Sequence, residues 1–202
     1  MARNRKSEIR AFIGGKGSGK TYLAIREARK ARRVLVWDSV GEWTDEKHLR
    51  DAAHFGDLRE LARHLQSGGR MFPKTVVVAR RDDFLAFCSF AYKWAKTNPG
   101  KGQSLLVLEE LNAYVHSNKR DHQFLDLVDR SRHASLDVLM IAPRMYGIPL
   151  YAREQVDRWK IAQVWSPGEL AKFGDEYGPD VRDRLSKLPK HRFLEIIKGQ
   201  KP

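Results

Sequence analysis

The stretch Ala11-Phe12-Ile13-Gly14-Gly15-Lys16-Gly17-Ser18-Gly19-Lys20-Thr21-Tyr22-Leu23-Ala24-Ile25 decides the fold. Its first three residues close a short apolar strand. Residues 22–28 form a helix. Between them, residues 14–21 match the G-x-x-x-x-G-K-[ST] phosphate-binding loop in the strand–loop–helix setting it requires. The glycines let the backbone curl so that successive N–H groups point at phosphate oxygens. The helix then begins with its partly positive end aimed at the same anion. Lys20 is placed to reach the β- and γ-phosphates, and the Thr21 hydroxyl to bind Mg²⁺. ATP and Mg²⁺ are therefore the expected ligands. Gly14, Gly15, Lys16, Gly17, Ser18, Gly19, Lys20 and Thr21 are the expected cradle.

Working outward, apolar runs alternate with helical periodicity. Strands are expected at residues 10–13, 34–37, 75–79, 104–108 and 137–142, and helices at 19–32, 57–66, 82–97 and 124–133. Such alternation predicts an α/β fold, a mostly parallel sheet flanked by helices, with ligands at the C-terminal ends of its strands. After Pro143 the pattern shortens: a strand at 158–164, helices at 167–173 and 181–188, and a last strand at 191–197. One P-loop ATPase domain over residues 1–202 is expected, with a nucleotide-binding core at 1–150 and a C-terminal extension at 151–202.

Hydrolysis needs more than a phosphate loop. Leu105-Leu106-Val107-Leu108-Glu109-Glu110 supplies the rest: four apolar residues build a buried strand, and its end carries two carboxylates. Glu109 is expected to bind Mg²⁺ through water and Glu110 to polarise the attacking water. The usual first acid is Asp, so Glu109 is one carbon longer than the pattern. Leu65-Gln66-Ser67-Gly68-Gly69-Arg70 is similar to the signature of transporter ATPases. It lies far upstream of Glu109 and closes a helix, and it reads as a glycine stop.

A hydrophobic share of 42% in 202 residues suits a globular chain with a full core and excludes a disordered one. No apolar run approaches the ~20 residues of a membrane span. The basic start, residues 1–6, leads into Ser7-Glu8 and not into an apolar signal region, so a cytoplasmic location is expected. The single cysteine, Cys88, lies among Phe84, Leu85, Phe87 and Phe90 and reads as a core residue. The net charge of +13 attracts polyanions, and with an ATP site present nucleic acid is the expected one.

These motifs resemble the HerA/FtsK group of DNA-pumping P-loop ATPases, especially the small packaging ATPases of tailless, membrane-containing viruses. The resemblance spans residues 8–150. It is carried by residues 14–21, by Val34-Leu35-Val36-Trp37-Asp38 with Gly41-Glu42-Trp43, by residues 105–110, and by residues 132–144 followed by Ile148-Pro149. It implies a homo-oligomeric ring, commonly a hexamer, with double-stranded DNA in its pore. It also implies a capsid or portal vertex as a possible partner, and a host-cytoplasmic or virion-associated protein. Arg132 falls where the family carries an arginine finger that reaches a neighbouring subunit's ATP. Arg130 competes for that role, and a helix C-terminal arginine serving the helix dipole is the plainer alternative. The family's sensor glutamine falls on Pro143, which has neither a side-chain amide nor an N–H; Arg144 and Asn112 are the candidates to replace it. Residues 98–103, with Lys96, and residues 116–120 are candidate DNA-facing loops. Trp94 and Tyr92 read as packing residues. A filamentous-phage-type morphogenesis ATPase, a small-molecule kinase and a non-hydrolysing nucleic-acid binder are the competing functions.

Overall fold

The computed structural model describes residues 7–43, 49, 51–97, 104–115 and 121–200. The two candidate DNA-facing loops, residues 98–103 and 116–120, lie outside these. Eight strands form one sheet: β1 (Ile9–Ile13), β2 (Arg33–Asp38), β3 (Ala53–Phe55), β4 (Lys74–Val78), β5 (Ser104–Leu108), β6 (Leu136–Ala142), β7 (Arg158–Ala162) and β8 (Phe193–Ile197). Their order is β3-β4-β2-β5-β6-β1-β7-β8. Seven run parallel, and β8 returns antiparallel to β7. The helices are α1 (Lys20–Lys30), α2 (Leu58–Gln66), α3 (Phe84–Lys96), α4 (His122–Arg130), α5 (Leu150–Arg153), α6 (Pro167–Tyr177) and α7 (Pro179–Ser186).

The central strands read as unbroken apolar runs because both faces of the sheet are covered. Alternate residues part between two cores. Ile9, Ala11 and Ile13 of β1, Leu35 and Trp37 of β2, and Leu106 and Leu108 of β5 join the core under α3 and α4. Phe12, Val34, Val36, Leu105 and Val107 join the one under α1, which contributes Ala24, Ile25 and Ala28. Cys88 is buried in the first core, as its neighbours suggested. Trp94 is also buried, with the Arg33 guanidinium 4.3 Å over its ring.

Helix ends follow local chemistry. The Asp57 side chain caps α2 by accepting from the Glu60 N–H at 2.7 Å, and Glu60 reaches back to the Gly56 N–H. The expected glycine stop closes the same helix: Gly68 takes φ 88, and the Gly69 N–H donates to the His64 carbonyl at 2.9 Å. The long helix expected at 82–97 begins instead as a 3-10 turn at Arg81–Asp83, and the one at 124–133 ends as a 3-10 turn at Ser131–Ala134. β3 and α5, three and four residues long, were not anticipated. The C-terminal residues extend the sheet through β7 and β8, so β1 has a strand on each side.

Candidate nucleotide site

β1 delivers the chain into the phosphate loop, and three glycines there satisfy two distinct constraints. At Gly14, whose N–H donates to the Ala142 carbonyl at 3.3 Å, a Cβ would stand 2.6 Å from the Ala162 Cβ. At Gly17 and Gly19, φ values of 74° and 93° demand the left-handed region. Gly19 is the N-cap of α1, and its carbonyl accepts the first helical bond, from Leu23, at 3.0 Å. Lys20 follows, 7% exposed, its Nζ donating to the Gly15 carbonyl at 3.2 Å across the loop. Burial lowers its pKa, opposed by the nearby Glu110, Glu109 and Glu42 carboxylates.

The facing wall comes from β5 and β2. Glu109 is 1% exposed. Its Oε1 accepts from the Trp43 indole Nε1 at 3.0 Å, and the Thr21 hydroxyl lies beside its carboxylate. Burial pushes its pKa to about 7 against the pull of those two donors. Trp43 is held in turn by Asp38, a fully buried carboxylate at the end of β2. Asp38 accepts from the backbone N–H groups of Val40, Gly41 and Trp43 at 3.3, 2.9 and 3.1 Å. Glu110 turns the chain at φ 47, ψ 45, a left-handed conformation unusual for a residue with a side chain. Glu110 borders a cavity of about 570 Å³ together with Lys20, Thr21, Glu109, Glu42 and Pro143.

Lys16, Gly17, Gly19, Lys20, Thr21, Glu109 and Glu110 thus face one cavity. Gly15 and Ser18 border an adjoining one with Trp165 and His191. Arg132 is elsewhere. It precedes β6, at the N-terminal edge of the sheet, roughly 20 Å along the strand from the phosphate loop. There its Nη2 pairs with Asp157 Oδ1 at 2.7 Å, while Asp157 Oδ2 accepts from the Ile9 N–H at 2.8 Å. Arg130 is exposed and lies 3.8 Å from Asp126. Pro143 borders the cavity, but neither Arg144 nor Asn112 does. Asn112 backs onto Gly147 instead.

The donor set fits the expected ligands. A hydroxyl and a buried carboxylate side by side are hard oxygen ligands of the kind Mg²⁺ takes. A cation there would offset the cost of ionising Glu109. Loop N–H groups and Lys20 suit the phosphates. Sequence reading missed the role of Trp43, although its turn was singled out. It also missed Glu42, Tyr22 and His191; His191 is remote in sequence and carried no local signal.

A parallel sheet bearing this loop at the end of β1, with paired carboxylates at the end of β5 two strands away, defines a P-loop NTPase fold. The genome packaging NTPase B204 from Sulfolobus turreted icosahedral virus 2, in complex with ATP-gammaS, superposes with a TM-score of 0.77 at 18% identity over 97% of this chain and 94% of that one. VirB4 of Thermoanaerobacter pseudethanolicus gives 0.73 at 10% identity, over 99% of this chain and 89% of that one. The N-terminal domain of zonular occludens toxin from Neisseria meningitidis gives 0.53 at 13%, over 96% and 94%. No protein-family model matches the sequence, and no curated protein matches it.

Proposed function

We propose that this protein is an ATP-driven translocase of double-stranded DNA that packages a viral genome. The observation that carries the reading is the convergence of Lys20, Thr21, Glu109 and Glu110 on one cavity. Its fold is shared with a packaging NTPase crystallised with an ATP analogue, and its net charge of +13 suits a polyanionic substrate.

Lys20 and the loop N–H groups bind the β- and γ-phosphates. Thr21 and Glu109 hold Mg²⁺, which supplies positive charge to the phosphates when bound. Glu110 orients the attacking water and accepts its proton. Trp43 and Asp38 keep the Glu109 carboxylate in place. In a homo-oligomeric ring, hexameric by family resemblance, Arg132 would be offered to a neighbour's ATP after leaving Asp157. Basic loops would track DNA phosphates without reading bases. The chain would act in the host cytoplasm or on the virion, at a capsid or portal vertex.

The deciding experiment is an ATPase assay with and without double-stranded DNA. Stimulation by DNA that fades with added salt supports the motor. Phosphoryl transfer to a small acceptor would make the protein a kinase, and absence of turnover would make it a binder.

A further inference from the structure

Glu110 keeps a left-handed backbone, φ 47 and ψ 45, at the wall of the nucleotide cavity. A residue with a side chain persists there only where its surroundings fix it. The chain on both sides of Glu110 is tied to one residue, Trp37 of β2. On the N-terminal side, the Glu109 N–H donates to the Trp37 carbonyl at 3.1 Å. On the C-terminal side a single 3-10 turn follows. The Ala113 N–H donates to the Glu110 carbonyl at 2.8 Å, and the Tyr114 N–H to the Leu111 carbonyl at 3.0 Å. That turn sets the Tyr114 ring edge-on to the Trp37 indole, with centroids 5.5 Å apart at 81°, and stacks it on Phe84 at 5.3 Å. Trp37 and Phe84 are both fully buried, so the ring rests on the rigid part of the core.

A phenylalanine would pack the same way, but the hydroxyl has neighbours of its own. The side chains of Ser39 and Trp37 lie beside it. Ser39 Oγ and Trp37 Nε1 are buried, and neither has another hydrogen-bond partner among the described residues. Burial raises the Tyr114 pKa, and the Asp38 and Glu110 carboxylates raise it further, so the phenol keeps its proton. Ser39 in turn follows Asp38, whose carboxylate holds the turn that carries Trp43.

We infer that Tyr114 is a positioning residue for Glu110. Its ring and hydroxyl clamp the turn after Glu110 to β2, so that the carboxylate stays aimed into the cavity. Tyr114 acts through Glu110 and touches neither nucleotide nor metal. This assignment rests on the reading of Glu110 as the group that orients the attacking water.

The test is steady-state ATPase kinetics of Tyr114→Phe and Tyr114→Leu, each alone and combined with Glu110→Gln. Tyr114→Phe keeps the rings and the fold, and it decides the matter if the leucine variant does not fold. Alone, Tyr114→Phe lowers kcat about fivefold and Tyr114→Leu about fiftyfold. The KM for ATP and the Mg²⁺ requirement stay within about twofold, because Lys20, Thr21 and Glu109 are untouched. Combined with Glu110→Gln, neither substitution lowers the residual rate further, since the group it positions is already disabled. A wild-type kcat in Tyr114→Phe overturns the positioning role. So does a rise in KM equal to the loss in kcat, or a loss that adds in full to that of Glu110→Gln. Wild-type turnover by Glu110→Gln alone overturns the reading of Glu110 itself.

Discussion

The indole N–H of Trp43 donates to Glu109 Oε1 at 3.0 Å, joining a turn after β2 to the carboxylate at the end of β5. Both side chains are almost fully buried. The bond gives Glu109, one carbon longer than the usual aspartate of such a site, a fixed partner. The longer side chain gives one oxygen to the indole and keeps its carboxylate beside the Thr21 hydroxyl. Trp43→Phe keeps the packing and deletes the donor. A hydrogen bond to a charged group contributes about 1.5–3 kcal/mol. The variant should need about tenfold more Mg²⁺ for half-maximal ATP turnover, read by Mg²⁺ titration at saturating ATP. An unchanged Mg²⁺ requirement would show that the indole does not position Glu109.

The Glu109 carboxyl also sets a pH dependence. Its folded pKa of about 7 lies above the ordinary 4.5, so the folded state holds a proton that the unfolded state has lost between those values. The stability that comes with this proton is complete below about pH 4.5 and is lost as pH rises through 7. In EDTA at pH 8, Glu109→Gln should be more stable than wild type by about 2–4 kcal/mol. The gap should close near pH 4.5. Thermal melts across that range provide the measurement, and equal melting temperatures at pH 8 would contradict it.

Lys20→Ala should lower ATP turnover by at least about a hundredfold, because its ammonium faces the carboxylates across the cavity and no other lysine on the loop is as buried. Steady-state ATPase assays decide this, and normal turnover would remove the residue from the site.

Arg132→Ala should be inactive alone, by about a thousandfold. It should regain activity when mixed with Glu110→Gln subunits, since each variant then supplies what the other lacks. Mixed-subunit assays paired with melting curves separate the roles. No recovery, together with a lowered melting temperature, would leave Arg132 as a clamp for Asp157 alone.

The fold was legible because its central strands carry apolar runs that only a sheet covered on both faces permits, and because residues 14–21 fix the order of strand, loop and helix. β3 escaped notice because Ala53–Phe55 is too short to show alternation, and α5 because four residues make barely one turn. Glu109 and Glu110 were legible from the strand before them. The Asp38–Trp43–Glu109 chain was not, because it joins residues up to 71 apart through side-chain geometry that no spacing rule encodes. His191 was hidden for the same reason: only the return of β8 beside β7 brings it to Gly19.

Asp157 grips Arg132 with one oxygen and the first N–H of β1 with the other. From that grip to Gly14 runs a single five-residue strand, buried throughout and bonded to β6 and β7 along its length. A strand so confined behaves as a push-rod: tightly packed interiors deform little, and displacement at one end is carried to the other. The edge that would meet a neighbouring subunit and the loop that would hold the triphosphate are thus two ends of one stiff mechanical part.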